Sequence, residues 1–402
     1  MSKALIFIFI TVLLDVIGLG IIIPIAPELI MSITGKNLSE ASSIGGWLMT
    51  SYSLMLFLCA PIIGGLSDKF GRRPLLLITL LVFGLDYLIQ GFATNIYWLF
   101  AGRIIAGITG ASYTVASSYI ADISEPEKKA QNFGLIGAAF GLGFIIGPLL
   151  GAALGSIGLR VPFFASAGLA LANCLFGFFI LPESLSKENR RAFSWTRSNP
   201  FGTFSVITKY SVLKIFIPIL FFVYTAHYSL QSTWNYYTMH KFKWDHTMVG
   251  YSLAFVGITV AIVQGGLTRI IIPKIGPYKS IIVGFSAAII GYFGFSFAPE
   301  GWYMFALMIP FALSGLAGPS IQSLVSNKVP ANAQGELQGG LTSLMSLASI
   351  FGPVIMTNTF QYFSSDPSKH YFPGAPFFLS FIFIVISLSI AIGPLKKLAK
   401  SE

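Results

Sequence analysis

Apolar residues run through this chain in long blocks, each broken by a short polar stretch. A membrane-spanning helix needs roughly 20 predominantly apolar residues. Twelve blocks meet that length, at residues 4–30, 44–66, 75–93, 96–121, 132–156, 161–181, 213–238, 247–271, 280–298, 302–326, 335–358 and 375–394. The breaks between them are mostly short, as expected of antiparallel neighbours in a helix bundle. Composition agrees: of 402 residues, 54% are hydrophobic and only 10% charged. That is too few charges to cover a water-soluble surface, where about a quarter of residues are charged. The expected fold class is all-α, a polytopic membrane protein of twelve transmembrane helices. Block one is too long for the apolar part of a signal peptide and carries Asp15, so it reads as a retained first helix.

The formal net charge of +10 at first suggests a nucleic-acid partner. Its distribution gives another reason. With alternating spans, nineteen of the 25 Lys and Arg residues fall on the side of the N-terminus, five on the opposite side, and Arg103 within a span. The positive-inside rule then places both termini in the cytoplasm and accounts for the charge without nucleic acid. The two cysteines, Cys59 and Cys174, lie in separate spans and read as small buried hydrophobes. No metal-ligand cluster occurs, and no cofactor is expected.

A polar, basic stretch at 182–212 divides the chain into six spans at 1–181 and six at 213–402. The halves echo each other. Span five holds Gly147-Pro148 and span eleven holds Gly352-Pro353. Gly64-Gly65-Leu66-Ser67 closes span two, and Gly265-Gly266-Leu267-Thr268 falls late in span eight. Two six-helix pseudo-repeat bundles joined by a cytoplasmic linker are an architecture that rocks around a central site.

Several motifs carry a family likeness. The stretch Gly64-Gly65-Leu66-Ser67-Asp68-Lys69-Phe70-Gly71-Arg72-Arg73-Pro74 resembles the signature loop of the major facilitator superfamily. Asp15-Val16-Ile17-Gly18-Leu19-Gly20 resembles the first-helix motif of its twelve-span drug:proton antiporters, and Arg103, Gly107 and Gly110 their fourth-helix motif. Gly143 through Gly151, with Gly147 and Pro148, resembles the helix-five antiporter motif, and Leu181-Pro182-Glu183-Ser184 ends helix six in the same style. Within that branch the chain is similar to tetracycline-efflux proteins, through Asp86-Tyr87, Ser118 through Asp122, Gly134 through Phe140, Met248 through Ala254, and Gly335 through Gly339. It departs from them where Val260 replaces a span-eight histidine, Ala288 a span-nine aspartate and Leu56 a span-two glutamine, while Gln264 is retained. The resemblance implies a major facilitator fold and a proton-coupled exporter. The departures leave tetracycline itself in question and favour another amphipathic substrate, a metabolite or a siderophore among them.

Asp15 and Asp86 lie near mid-span on the same side, and Arg103 enters span four from the other end. A charge at that depth costs at least a few kcal/mol. Arg103 paired with one carboxylate leaves the other able to titrate, since burial disfavours the charged carboxylate and an arginine favours it. Two readings stand: proton coupling or substrate binding, or a static pair locking three helices. At the signature loop, Asp68 and Asp122 can share Arg72. With Gly65, Gly71, Arg73 and Glu336 they form either a cytoplasmic gate or positive-inside anchoring and, for Glu336, a helix cap. Gly147-Pro148 is expected to break helix five, as a hinge or seal or as ordinary packing. Gln264, Gln231, Trp234, Asn235, His227 and Gln338 are cavity candidates; a cavity of aromatics with scattered polar groups suits amphipathic molecules.

No G-x-x-x-x-G-K-[ST] loop is present for ATP, so energy comes from an ion gradient, protons first and sodium second, or from the substrate's own gradient. No serine elbow or paired histidine supports an enzyme. The partners expected are a small-molecule substrate, protons and the lipid bilayer of a bacterial inner membrane, with the chain working as a monomer.

Overall fold

A computed structural model describes residues 3–110, 112–125, 129–195, 198–200, 211–326, 334–365 and 370–399, without side chains at several helix ends. Among the described residues every regular element is helical. The first half holds α1 (Lys3–Ile22), α2 (Ala26–Thr34), α3 (Leu38–Phe70), α4 (Arg72–Gly91), α5 (Ile96–Thr109), α6 (Ser112–Ile123), α7 (Lys129–Gly155) and α8 (Val161–Ile180). The second holds α9 (Ser211–Phe242), α10 (His246–Ile262), α11 (Thr268–Phe297), α12 (Gly301–Ala312), α13 (Ala317–Ser326), α14 (Gln334–Ser364) and α15 (Ala375–Ala399).

Among the described residues, ten stretches are long and apolar enough to span a membrane. One of them, His246–Phe297, is 52 residues long, about 78 Å at 1.5 Å per residue, far beyond one crossing. It turns at Gly276, whose φ of 79° and ψ of 160° leave the helical region, and so contains two spans. The more polar α9, with 32 residues, completes twelve.

Local chemistry explains the helix ends. Asn95 accepts a hydrogen bond from the Tyr97 N–H and caps α5, and Asp245 accepts one from Met248 to start α10. Gly35, in the left-handed region at φ 68°, ends α2. Four spans are less regular than their apolar runs imply. Span one is divided at Ile23–Ile25, and Pro27 opens the following helix. Span four divides at Gly110, span eight carries a π turn at Val263–Leu267, and span ten a 3-10 turn at Leu313–Leu316.

One expectation is corrected. Gly147-Pro148 does not break helix five, because α7 runs unbroken from Lys129 to Gly155. The proline ring and its neighbouring glycines lie against Gly20 of α1, so the tight seam carries the helix past the lost donor. The counterpart Gly352-Pro353 is also internal to a continuous helix, with Gly352 against Tyr228 of α9.

Contacts divide the chain into two units. The first comprises Met1–Lys36, Ser51–Pro200 and Asp245–Ala254. The second comprises Asn37–Thr50, Phe201–Trp244 and Phe255–Glu402. Within the first, α1 packs on α7 and α8, and α4 on α8. Within the second, α9 packs on α14 and α15, and α11 on α15. The same pairing of first, third, fifth and sixth spans thus recurs in each. The second unit also includes the start of α3, where the Ser43 hydroxyl donates to Asn358 Oδ1 at 2.6 Å and Thr50 to the Ile350 carbonyl at 2.7 Å. The first includes the start of α10, where His246 Nδ1 stands 3.1 Å from Glu28 Oε1.

Candidate transport site

Inside the first unit, α4 carries Asp86 with no exposed surface. Its Oδ2 accepts from Gln90 Nε2 at 2.8 Å and lies 3.5 Å from Arg103 Nη2 of α5. Its Oδ1 has no partner, and neither has Arg103 Nε. The carboxylate fits because residue 102 is glycine: a Cβ there would stand 2.5 Å from Asp86 Oδ1. The Arg103 guanidinium lies 5.9 Å from the ring centre of Tyr52. On the adjoining turn, Tyr87 packs its hydroxyl on Gly18 of α1, within electrostatic reach of Asp15, Asp86 and Arg103. The three charges singled out in the sequence therefore share one neighbourhood. Gln90, which holds Asp86 in place, was not among them; its position one turn after Asp86, as i and i+4 on one helix face, is the signal that would have found it.

The signature loop makes a second polar centre. Arg72 is buried and bridges three groups, with Nη1 2.6 Å from Asp68 Oδ1, Nη1 donating to Ser67 at 2.6 Å and Nε to Asp122 Oδ2 at 3.1 Å. Arg73 does not join them; it donates to the Phe178 carbonyl at 2.6 Å. Gly71, at φ 106°, has no side chain to cap α4. Glu183 does so from the next connection, accepting from the Arg72 and Arg73 N–H groups at 2.8 and 3.3 Å. In the sequence Glu183 stands out only as part of the helix-six ending, since the residue it caps is 111 positions away. Gly65 lies under Phe193 and Ser198, and the Arg191 N–H donates to the Asp68 carbonyl at 3.1 Å. The first part of the linker thus straps the loop, leaving a polar cleft of about 580 Å³ whose lining includes Asp68, Asp122, Glu188 and Arg190. Hydrogen bonds from its own backbone and from Ser186 hold Glu188 below the usual carboxylate range. Glu336 and Gln338 have side chains outside the described residues.

The helix-five motif is a packing seam. A Cβ on Gly143 would meet Val16, one on Gly147 would stand 2.8 Å from the Gly20 Cα, and one on Gly151 would overlap the Ile21 carbonyl.

In the second unit, His227 and Gln231 are exposed one turn apart on α9, and Gln264 is exposed in the π turn. Trp234 and Asn235, the other two cavity candidates with described side chains in this unit, are buried. Trp234 is 2% exposed and packs edge-on to Phe295 and Phe377, with ring centres 5.5 and 6.2 Å away, and Asn235 is buried beside it. The aromatic core of the bundle, not an open face, takes that side of α9. No group of three or more metal-binding side chains occurs among the described residues.

The chain is similar to known proteins over most of its length. The family described as Major Facilitator Superfamily matches residues 8–353. The chain is 40% identical over 356 residues to the class C tetracycline resistance protein of Escherichia coli, covering 89% of each. It is 33% identical to the class H protein of Pasteurella multocida, covering 90% of each. In fold it is similar to a bacterial homologue of the human lysosomal transporter Spinster in an inward-facing, unoccupied conformation, with a TM-score of 0.79 at 16% identity, covering 99% of this chain and 98% of that one. The human organic anion transporter MFSD10 superposes with a TM-score of 0.71 at 22% identity, covering 96% and 98%. The chain belongs to the major facilitator superfamily, and is an integral membrane transporter of that family.

Proposed function

We propose that Asp15, Asp86 and Arg103 couple inward proton movement to the export of an amphipathic organic molecule across a bacterial inner membrane. Both termini face the cytoplasm, and one chain is the working unit. The substrate leaves chemically unchanged, so the chain is a carrier and not an enzyme.

One observation carries this reading: a fully buried carboxylate with one oxygen held by Gln90 and Arg103 and the other unpartnered. A proton on Oδ1 removes the charge facing Arg103 and frees the guanidinium to pair with Asp15, which gives up its own proton as that pair forms. Deprotonation restores the pair. Such a two-state centre is what a ligand or a proton can bias. The Arg72 bridge to Asp68 and Asp122 supports a gate on the cytoplasmic side. His227, Gln231 and Gln264 supply hydrogen-bonding groups in the second unit. Apolar Val260, Ala288 and Leu56, where tetracycline exporters are polar, support a substrate other than tetracycline.

Everted membrane vesicles given an acid interior test the reading, with a panel of fluorescent amphipathic compounds and tetracycline itself. Accumulation that a protonophore collapses, and that Asp15→Asn or Asp86→Asn abolishes, is expected. The paired change Asp86→Leu with Arg103→Met separates coupling from a static lock. A buried pair replaced by apolar groups of similar size is often neutral or stabilising. The coupling reading therefore expects a stable protein that no longer accumulates substrate. Full accumulation by the paired variant would reduce the centre to a structural lock.

A further inference from the structure

Two buried polar side chains of the first unit lie outside the charge centre. Thr11 of α1 is fully buried, and its hydroxyl has no hydrogen-bond partner. Asn173 of α8 is 3% exposed, and neither its amide nitrogen nor its oxygen has one. A polar group buried without a partner is destabilising, so such groups are nearly always paired or hydrated.

Their register places them together. Ser166 Oγ of α8 donates to the Gly18 carbonyl of α1 at 3.5 Å, and a Cβ on Gly177 would stand 2.5 Å from Phe7 Cζ. The helices are antiparallel, and the residue numbers of each contacting pair total 184. Residues 11 and 173 total the same. Thr11 follows Phe7 by four residues and precedes Gly18 by seven; Asn173 stands likewise between Gly177 and Ser166. Those intervals keep both side chains on the facing surfaces.

We propose that Thr11 and Asn173 bind water within the α1–α8 interface, and that this water relays protons to and from Asp15. The inference rests on the reading of Asp15 as a proton-carrying group. An asparagine amide offers donors and an acceptor, and a threonine hydroxyl offers both, which meets the roughly three bonds a buried water makes. Asp15 lies one turn beyond Thr11, four residues or about 6 Å along the axis. A water about 2.8 Å from a group on each side closes that span. In the relay the Asp15 carboxyl gives its proton to the water oxygen as the water passes one of its own to the next water toward the N-terminal end of α1. Thr11 and Asn173 hold the oxygen in place and neither gain nor lose a proton.

Proteoliposomes carrying Thr11→Val with Asn173→Leu test this, with substrate-driven proton flux and substrate counterflow measured side by side. Proton flux is expected to fall about tenfold or more while counterflow stays within about twofold of wild type. Unchanged proton flux would overturn the relay and leave a structural polar pair. Absent proton flux in the wild type would overturn the antiport reading and the relay with it. Where the double variant does not fold, Thr11→Ser and Thr11→Val decide: the serine, keeping the hydroxyl, is expected to retain the flux that the valine loses. Equal flux in the two would overturn the proposal.

Discussion

A methyl group at residue 102 would stand 2.5 Å from Asp86 Oδ1 and 2.8 Å from Gln90 Cγ. Both neighbours are fixed, one by Arg103 and the other by its bond to the carboxylate. Overpacking of this kind costs about 1–3 kcal/mol. Gly102→Ala is therefore expected to lower the melting temperature by a few degrees and to reduce transport much more, because the strain falls on the carboxylate proposed to couple. A melting curve and an accumulation assay on one preparation check it; normal accumulation would show that Asp86 tolerates displacement. The charges themselves were legible in the sequence, since Asp15, Asp86 and Arg103 stand out in apolar runs. Gly102 was not, because glycine is frequent in membrane helices and only the coordinates show what it faces. The packing of Trp234 was not legible for a related reason: a large amphipathic ring suits a cavity wall and a packed core equally, and its partners Phe295 and Phe377 lie far along the chain.

Helices in this protein are joined by glycine seams and capped across long sequence distances. The α1–α7 seam predicts a contrast. Gly151→Val drives a branched side chain into the Ile21 carbonyl and is expected to prevent stable folding in detergent. Gly137→Ala, on the same helix with nothing within 4 Å of the added carbon, is expected to be neutral or stabilising by up to about 1 kcal/mol. Fluorescence-detected size exclusion with heating distinguishes the two, and equal losses would mean that the seam does not discriminate. Glu183→Gln tests the remote cap. The glutamine keeps one acceptor but loses the charge facing two N–H groups at the start of α4 and the helix dipole there, an effect of about 0.5–2 kcal/mol. A melting temperature equal to wild type would show that the cap is dispensable. Span positions were readable from apolar run length alone. Their irregularities were not, because a π turn, a 3-10 turn and an unbroken Pro148 each depend on which neighbour receives the displaced backbone.

The two contact units exchange short segments: the start of α3 groups with the second half of the chain, and the start of α10 with the first. A carrier that rocks one bundle against the other must release such contacts in each cycle. Ser43 and Asn358, hydrogen-bonded at 2.6 Å, mark one of them. Cysteines at both positions, with Cys59 and Cys174 replaced, are expected to cross-link on mild oxidation and to stop transport until reduced. Transport that continues through complete cross-linking would show that this contact persists around the cycle. The six-plus-six plan was legible in the polar stretch at mid-chain and in the paired Gly-Pro positions, whereas the exchanged segments leave no mark in composition. The charge centre in the first unit is proposed to link proton entry to substrate exit. Proteoliposomes with an internal pH dye, presented with the substrate found in vesicles, test it most directly. A substrate-dependent proton flux is expected in the wild type, and Asp15→Asn and Asp86→Asn are each expected to abolish it. Substrate movement without any proton flux, or a proton flux that both variants retain, would contradict it.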